Sequence, residues 1–151
     1  MKKWGFGVVL FLLPTGCAQD QDQTKISALK VEENDTALFE RLISEKPSDL
    51  PYVELEQKIS VALPDSSASR YHVQDIILNE NGTSKFTSRA PLPMTAEAQE
   101  GIVTLTVLIN PMATYSSDSA DYEPGNVIRG FKLTSEDNNE VFAFVLRTDA
   151  K

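Results

Sequence analysis

Residues 127–148, VIRGFKLTSEDNNEVFAFVLRT, decide the fold. Val127 to Thr134 and Glu140 to Thr148 are two runs rich in β-branched and aromatic residues. The polar Ser135-Glu136-Asp137-Asn138-Asn139 lies between them, so the stretch reads as a hairpin with a longer loop. In the second run Phe142, Phe144 and Leu146 alternate with Val141, Ala143 and Val145. Both faces are apolar, which predicts a strand buried on both sides.

Upstream the same period of two recurs. Ile102 to Asn110 puts Val103, Leu105, Val107 and Ile109 on one face and Ile102, Thr104, Thr106 and Leu108 on the other, and is the candidate central strand. Pro111 to Gly125 is a polar, acidic connection; Ser88 to Gly101, with Pro91 and Pro93, is a second long one, with room for a helical turn from Thr95. Arg70 to Asn79 is a further strand. Asn81-Gly82 after it signals a hairpin, because both residues tolerate the positive φ of a type I′ turn, and Lys85 to Thr87 returns briefly. Val53, Leu55, Ile59, Val61 and Leu63 share one side of a strand interrupted at Gln57, with Glu54, Glu56, Lys58 and Ser60 on the wet side. Pro64 to Ser67 then turn the chain.

Before Tyr52 the period is helical. Asn34 or Asp35 can cap a helix, Ala37, Leu38, Phe39, Leu42 and Ile43 recur on one face, and Pro47 stops it near Lys46. A helix this short is marginal alone, so its apolar residues are expected to pack on the domain that follows. Its polar positions are mostly acidic, unlike those of helices that lie on membranes. With six or seven strands, the expected fold is mostly β. It is a two-layer antiparallel β-sandwich, with an immunoglobulin-like arrangement among its forms, and one short N-terminal helix.

The chain opens on MKKWGFGVVLFLLPTGC, residues 1–17: Lys2 and Lys3, an uncharged run from Trp4 to Leu13, then Thr15 and Gly16 before a cysteine. That is the layout of a secretory signal. The apolar run is about half of the roughly 20 residues a membrane-spanning helix needs. Leu13-Pro14-Thr15-Gly16-Cys17 resembles the lipobox of bacterial lipoproteins, with Pro14 where that family usually has an aliphatic residue. The resemblance implies cleavage between Gly16 and Cys17, a diacylglycerol on the Cys17 sulfur and a further acyl chain on its amino group. Ala18, in place of an aspartate, implies the outer membrane, facing the periplasm, where the organism is Gram-negative. Ala18 to Glu33 is polar and reads as a flexible tether with a reach of roughly 20–24 Å. The expected division is a signal peptide at 1–16, the lipidated Cys17 and tether at 17–34, and a single β-rich domain with its helix at 35–151.

Cys17 is the only cysteine, so the domain has no intramolecular disulfide. Loss of residues 1–16 takes Lys2 and Lys3 from the 14 basic residues and none of the 22 acidic ones, moving the formal charge from −8 to −10. That sign disfavours nucleic acid and anionic lipid, so attachment to the membrane rests on the acyl chains, at roughly 0.8 kcal/mol per buried CH₂. Asp118, Asp121 and Glu123, with Asn126, offer oxygens of the kind Ca²⁺ takes, although not at the spacing of an EF-hand. The plainer reading of these residues is a solvated acidic loop. His72, the one histidine, and Asp75 fall on opposite faces of a strand, which disfavours a His-Asp couple. No serine-nucleophile, zinc or phosphate-loop spacing occurs, so the sequence assigns no cofactor and no catalytic residue.

Consecutive antiparallel strands put the start of the Tyr52 strand, the Asn81-Gly82 turn and the loop Pro111 to Gly125 at one end of the sandwich. The loops around Ser66, Pro91 to Pro93 and Asp137 fall at the other. Helix and tether join at the acidic end, so the opposite end, with Arg89, Leu92, Pro93 and Met94, is expected to face away from the membrane as the partner surface. The expected function is that of a membrane-anchored, non-catalytic accessory or protein-binding subunit of a cell-envelope system, with an envelope protein as partner. A ligand- or calcium-binding β-domain is the alternative.

Overall fold

Alternation along the chain becomes the two sides of a wall. The computed structural model describes residues 23–45, 49–86 and 94–151. These hold β1 (Thr24–Ser27), β2 (Leu29–Val31), α1 (Leu38–Glu45), β3 (Lys58–Ala62), β4 (Arg70–Leu78), β5 (Met94–Gln99), β6 (Ile102–Thr106), β7 (Val127–Ser135) and β8 (Val141–Thr148). The predicted hairpin is present: β7 and β8 pair antiparallel from Val127↔Thr148 to Thr134↔Val141, and the Phe131 and Phe144 rings stack with centroids 4.9 Å apart. Their inward side chains join Tyr71 and Val73 of β4 and Ile59, Val61 and Val103 of β3 and β6 in one buried core.

The strands follow the order β1-β3-β6-β5-β4-β7-β8-β2. Every strand pair is antiparallel except β1 with β3. The result is a two-layer sandwich whose layers share strands. β5 pairs with β4 through Met94–Glu97 and with β6 through Ala98 and Gln99, so it turns one corner. The other corner is turned twice. At one end, β1 runs into β2 through the buried Ala28, whose amide donates to Ala62 O at 2.9 Å, and so lies on β3 before crossing to β8. At the other end, Pro51–Val53 bonds to Arg147 of β8, and Glu56 and Gln57 then bond to Val107 after β6. Closure gives the sandwich a barrel-like character and covers edges that would otherwise invite pairing. What remains of the expected immunoglobulin-like arrangement is the two-layer packing.

α1 lies on the outside of β4, β7 and β8. Ile43, with Phe39 and Leu42, packs on Leu78, Ile128 and Val145, as its apolar stripe predicts. The fit depends on two glycines. A Cβ on Gly130 would stand 2.7 Å from the Phe39 ring, and one on Gly82 would stand 2.5 Å from Glu40 Cα. α1 also covers the outer side of β8 at Val145, so that strand is buried on both sides as expected.

Four expectations are corrected. First, Thr24–Val31 is not free tether: it is β1 and β2, held by pairing with β3 and β8 rather than by any periodicity of its own. Second, Ser88–Gly101 is not one long connection, because Met94–Gln99 is a strand. Glu100 and Gly101, at φ 52° and 74°, then form the tight two-residue turn into β6. Third, Asn81-Gly82 makes a three-residue loop: Gly82 N donates to Asn79 O and Asn79 N to Thr83 O, with Gly82 alone at positive φ. Fourth, β6 ends at Thr106 and is wet on one face, so the most deeply buried pair is β7 and β8.

Candidate functional site

The start of the Tyr52 segment, the Asn79–Thr83 loop and the acidic loop do share one end of the barrel, as topology required. The turns at Ser66 and Asp137 share the other, where Asn138 donates to Ser67 Oγ at 2.8 Å. The third loop, around Pro91 to Pro93, lies outside the described residues, and the chain resumes in β5. Met94 enters the sheet opposite Val73, midway along β4, and β5 runs from there toward the Ser66 end. Arg89, Leu92 and Pro93 lie outside the described residues, as does Cys17. Met94 is half-buried against the core and is not a loop-tip residue.

In the acidic loop the side chains serve the loop itself. Asp118 accepts from Ala120 N at 3.0 Å and caps the 3₁₀ turn Ser119–Tyr122, while Asn126 donates to Ala120 O at 2.9 Å. The Asp121 carboxylate takes hydrogen bonds from Lys85 and Ser116. Burial alone would raise its pKa, but the bonds from Lys85 and Ser116 and the Lys85 charge outweigh it and hold the carboxyl below 3.8. No group of three or more His, Cys, Asp or Glu suited to a metal ion occurs among the described residues. Tyr52 ties this end together: its hydroxyl donates to Asp149 Oδ2, and Gly125 N donates to Asp149 Oδ1, both at 2.8 Å.

His72 and Asp75 face opposite ways as expected. His72 is on the outer surface with Nε2 3.4 Å from Glu136, whereas Asp75 is 9% exposed inside the barrel. There it meets Arg129, itself 2% exposed, whose Nε donates to Asp75 Oδ1 at 3.0 Å and whose Nη2 donates to Oδ2. Arg129 Nη1 donates to Leu108 O at 2.7 Å, and the guanidinium lies 5.2 Å from the Phe131 ring centroid. The pair joins β4, β7 and the chain after β6 at one point. It was legible in outline: Asp75 sits in register with Tyr71, Val73 and Ile77, and Arg129 with Val127, Phe131 and Leu133. A charge buried in an inward apolar row needs a partner there.

The Ser66 end closes through Glu140. Its carboxylate accepts from Lys30 Nζ at 3.1 Å and from Ser67 N at 3.2 Å, linking β2, the turn after β3 and the start of β8. The Lys30 bond first, then that from Ser67, lowers the Glu140 pKa below 4.5 despite desolvation. Beside it the Tyr71 hydroxyl, raised above 10.0 mainly by burial, bonds to Ser66 Oγ. A carboxyl with a lowered folded-state pKa stabilises the fold above its ordinary pKa, and that contribution is lost as pH falls through the lowered value. The melting-temperature difference between wild type and Glu140→Gln is therefore expected to be greatest at neutral pH and to shrink as pH drops below 4.5. A difference that persists unchanged in acid would make the contact one of shape rather than charge.

Fold and site together define a class: a small closed antiparallel β-domain with a helix seated on one outer face and a buried ion pair at its centre. No family model, no curated protein and no solved structure matches the chain.

Proposed function

We propose that the protein is a lipid-anchored lipoprotein of the cell envelope that acts without catalysis, as an accessory or protein-binding subunit. One observation carries the reading: the chain's single cysteine stands at the end of Leu13-Pro14-Thr15-Gly16-Cys17, after a charged start and an apolar run. Two acyl signals on one residue make attachment stable where a single chain would not. Several of the domain's charged groups hold the barrel and its loops: Asp75 with Arg129, Asp121 with Lys85 and Glu140 with Lys30. With Ala18 after the cysteine, the outer membrane is the favoured location in a Gram-negative organism. The calcium alternative gains nothing from the acidic loop, whose Asp118 and Asp121 already have partners within the chain. Metabolic labelling with palmitate is expected to mark wild type and to be lost in Cys17→Ser. Equal labelling of the two would sink the proposal.

A further inference from the structure

We propose that the end of the barrel bearing Tyr52, Leu108, Ile109, Tyr115 and Tyr122 rests in the headgroup layer of the membrane that anchors the chain. This rests on lipidation at Cys17. The first ground is length. Thr24 is already in β1, with Gln57 Nε2 donating to Thr24 Oγ1 at 3.1 Å, so Gln23 leaves the domain at the end where Gln57 and Val107 meet. Between Cys17 and Gln23 stand residues 18–22, a reach of at most about 20 Å fully extended and of about 13 Å as a coil. A domain of this size is roughly 35 Å across. The leash is too short to lift it clear, and the end where the leash begins is the end held nearest the lipid.

The second ground is what that end presents. Among the large apolar side chains, Leu108 is 53% exposed, Ile109 49% and Tyr115 71%. Tyr122 donates to Thr114 O at 3.0 Å and Ser116 O at 2.9 Å, which places its ring beside the Tyr115 turn, and the Tyr52 ring lies against Gly125 at the close of the same loop. The Tyr115 ring is the most exposed of these, Lys151 Nζ lies 5.1 Å from the Tyr122 ring centroid, and tyrosine suits the boundary between headgroups and acyl chains. The charge at this end selects the lipid. Asp121 is neutralised by Lys85, but Glu54, Glu56, Asp118 and Glu123 are exposed, so contact is favoured on zwitterionic rather than anionic headgroups.

The chain's one tryptophan, Trp4, belongs to the signal, so a tryptophan placed in the domain reports alone. Full-length Tyr115→Trp and Asp137→Trp, the latter at the opposite end, are processed in cells and reconstituted in phosphatidylcholine vesicles with brominated acyl chains. Flotation measures attachment and quenching measures contact. The expected result is that both variants float, that Trp at 115 is quenched several-fold more than Trp at 137, and that adding phosphatidylglycerol reduces the difference. Flotation with equal or absent quenching at the two positions would overturn the contact while leaving the anchor in place. Failure of both to float would remove the anchor itself, and the contact with it.

Discussion

Asp75→Ala is expected to destabilise the domain by about 3–5 kcal/mol, the usual cost of removing one partner from a buried ion pair. For a chain of this length that corresponds to a fall in melting temperature of roughly 10–20 °C. The Arg129 guanidinium, 3% exposed at its side chain, would be left with the Leu108 carbonyl and the Phe131 ring but no counter-charge. A guanidinium cannot shed its proton to escape. Arg129→Met is likewise expected to destabilise the domain, because it leaves the buried Asp75 carboxylate without its donors and the Leu108 carbonyl without its own. Replacing both, as Asp75→Leu with Arg129→Met, is expected to recover most of the loss, since apolar residues of similar volume often serve as well as a buried pair. A double variant no better than the single ones would mean that the pair holds the chain after β6 in place rather than merely balancing charge.

That each charge points inward follows from alternation; that the two meet does not, because it depends on which strands pair. Inward register follows from alternation alone, so Asp75 with Tyr71 and Val73, or Arg129 with Phe131 and Leu133, can be placed inside from the sequence. Pairing of β4 with β7 needs the topology. The hairpin of β7 and β8 was legible because each strand is long and apolar on its inner face, so the period is unmistakable. β1 and β2 were not, because four and three residues carry too little pattern and only Ile26 and Ala28 turn inward. Their conformation is set by β3 and β8. β5, reading MTAEAQ, was obscured in another way: Met, Ala, Glu and Gln favour helix, and only the small inward residues Ala96 and Ala98 betray the strand. Position between two neighbours overrode propensity there. Of the expected partner surface, the strand takes in Met94 alone, while Arg89, Leu92 and Pro93 lie outside the described residues.

Gly82→Ala is expected to unseat α1 from the barrel and to cost about 2–5 kcal/mol. Two terms combine. The residue sits at φ +89°, where a side chain is strained by about 1–2 kcal/mol, and the new Cβ would stand 2.5 Å from the Glu40 backbone, an overpacking of about 1–3 kcal/mol. Because the obstacle is helix backbone rather than a movable side chain, the helix must shift as a unit. That shift exposes Leu78, Ile128 and Val145 on the outer face while leaving the inner core of Tyr71, Leu133 and Phe142 intact. Gly82→Asn separates the two terms, since asparagine tolerates the left-handed conformation but still carries a Cβ. If the seat of α1 is what matters, both variants bind a hydrophobic dye more strongly than wild type and melt early, with Asn recovering only the smaller, conformational part. If Asn restores wild-type stability, the loop's conformation was the whole effect, and the helix has more freedom on the barrel than its contact with Gly82 implies.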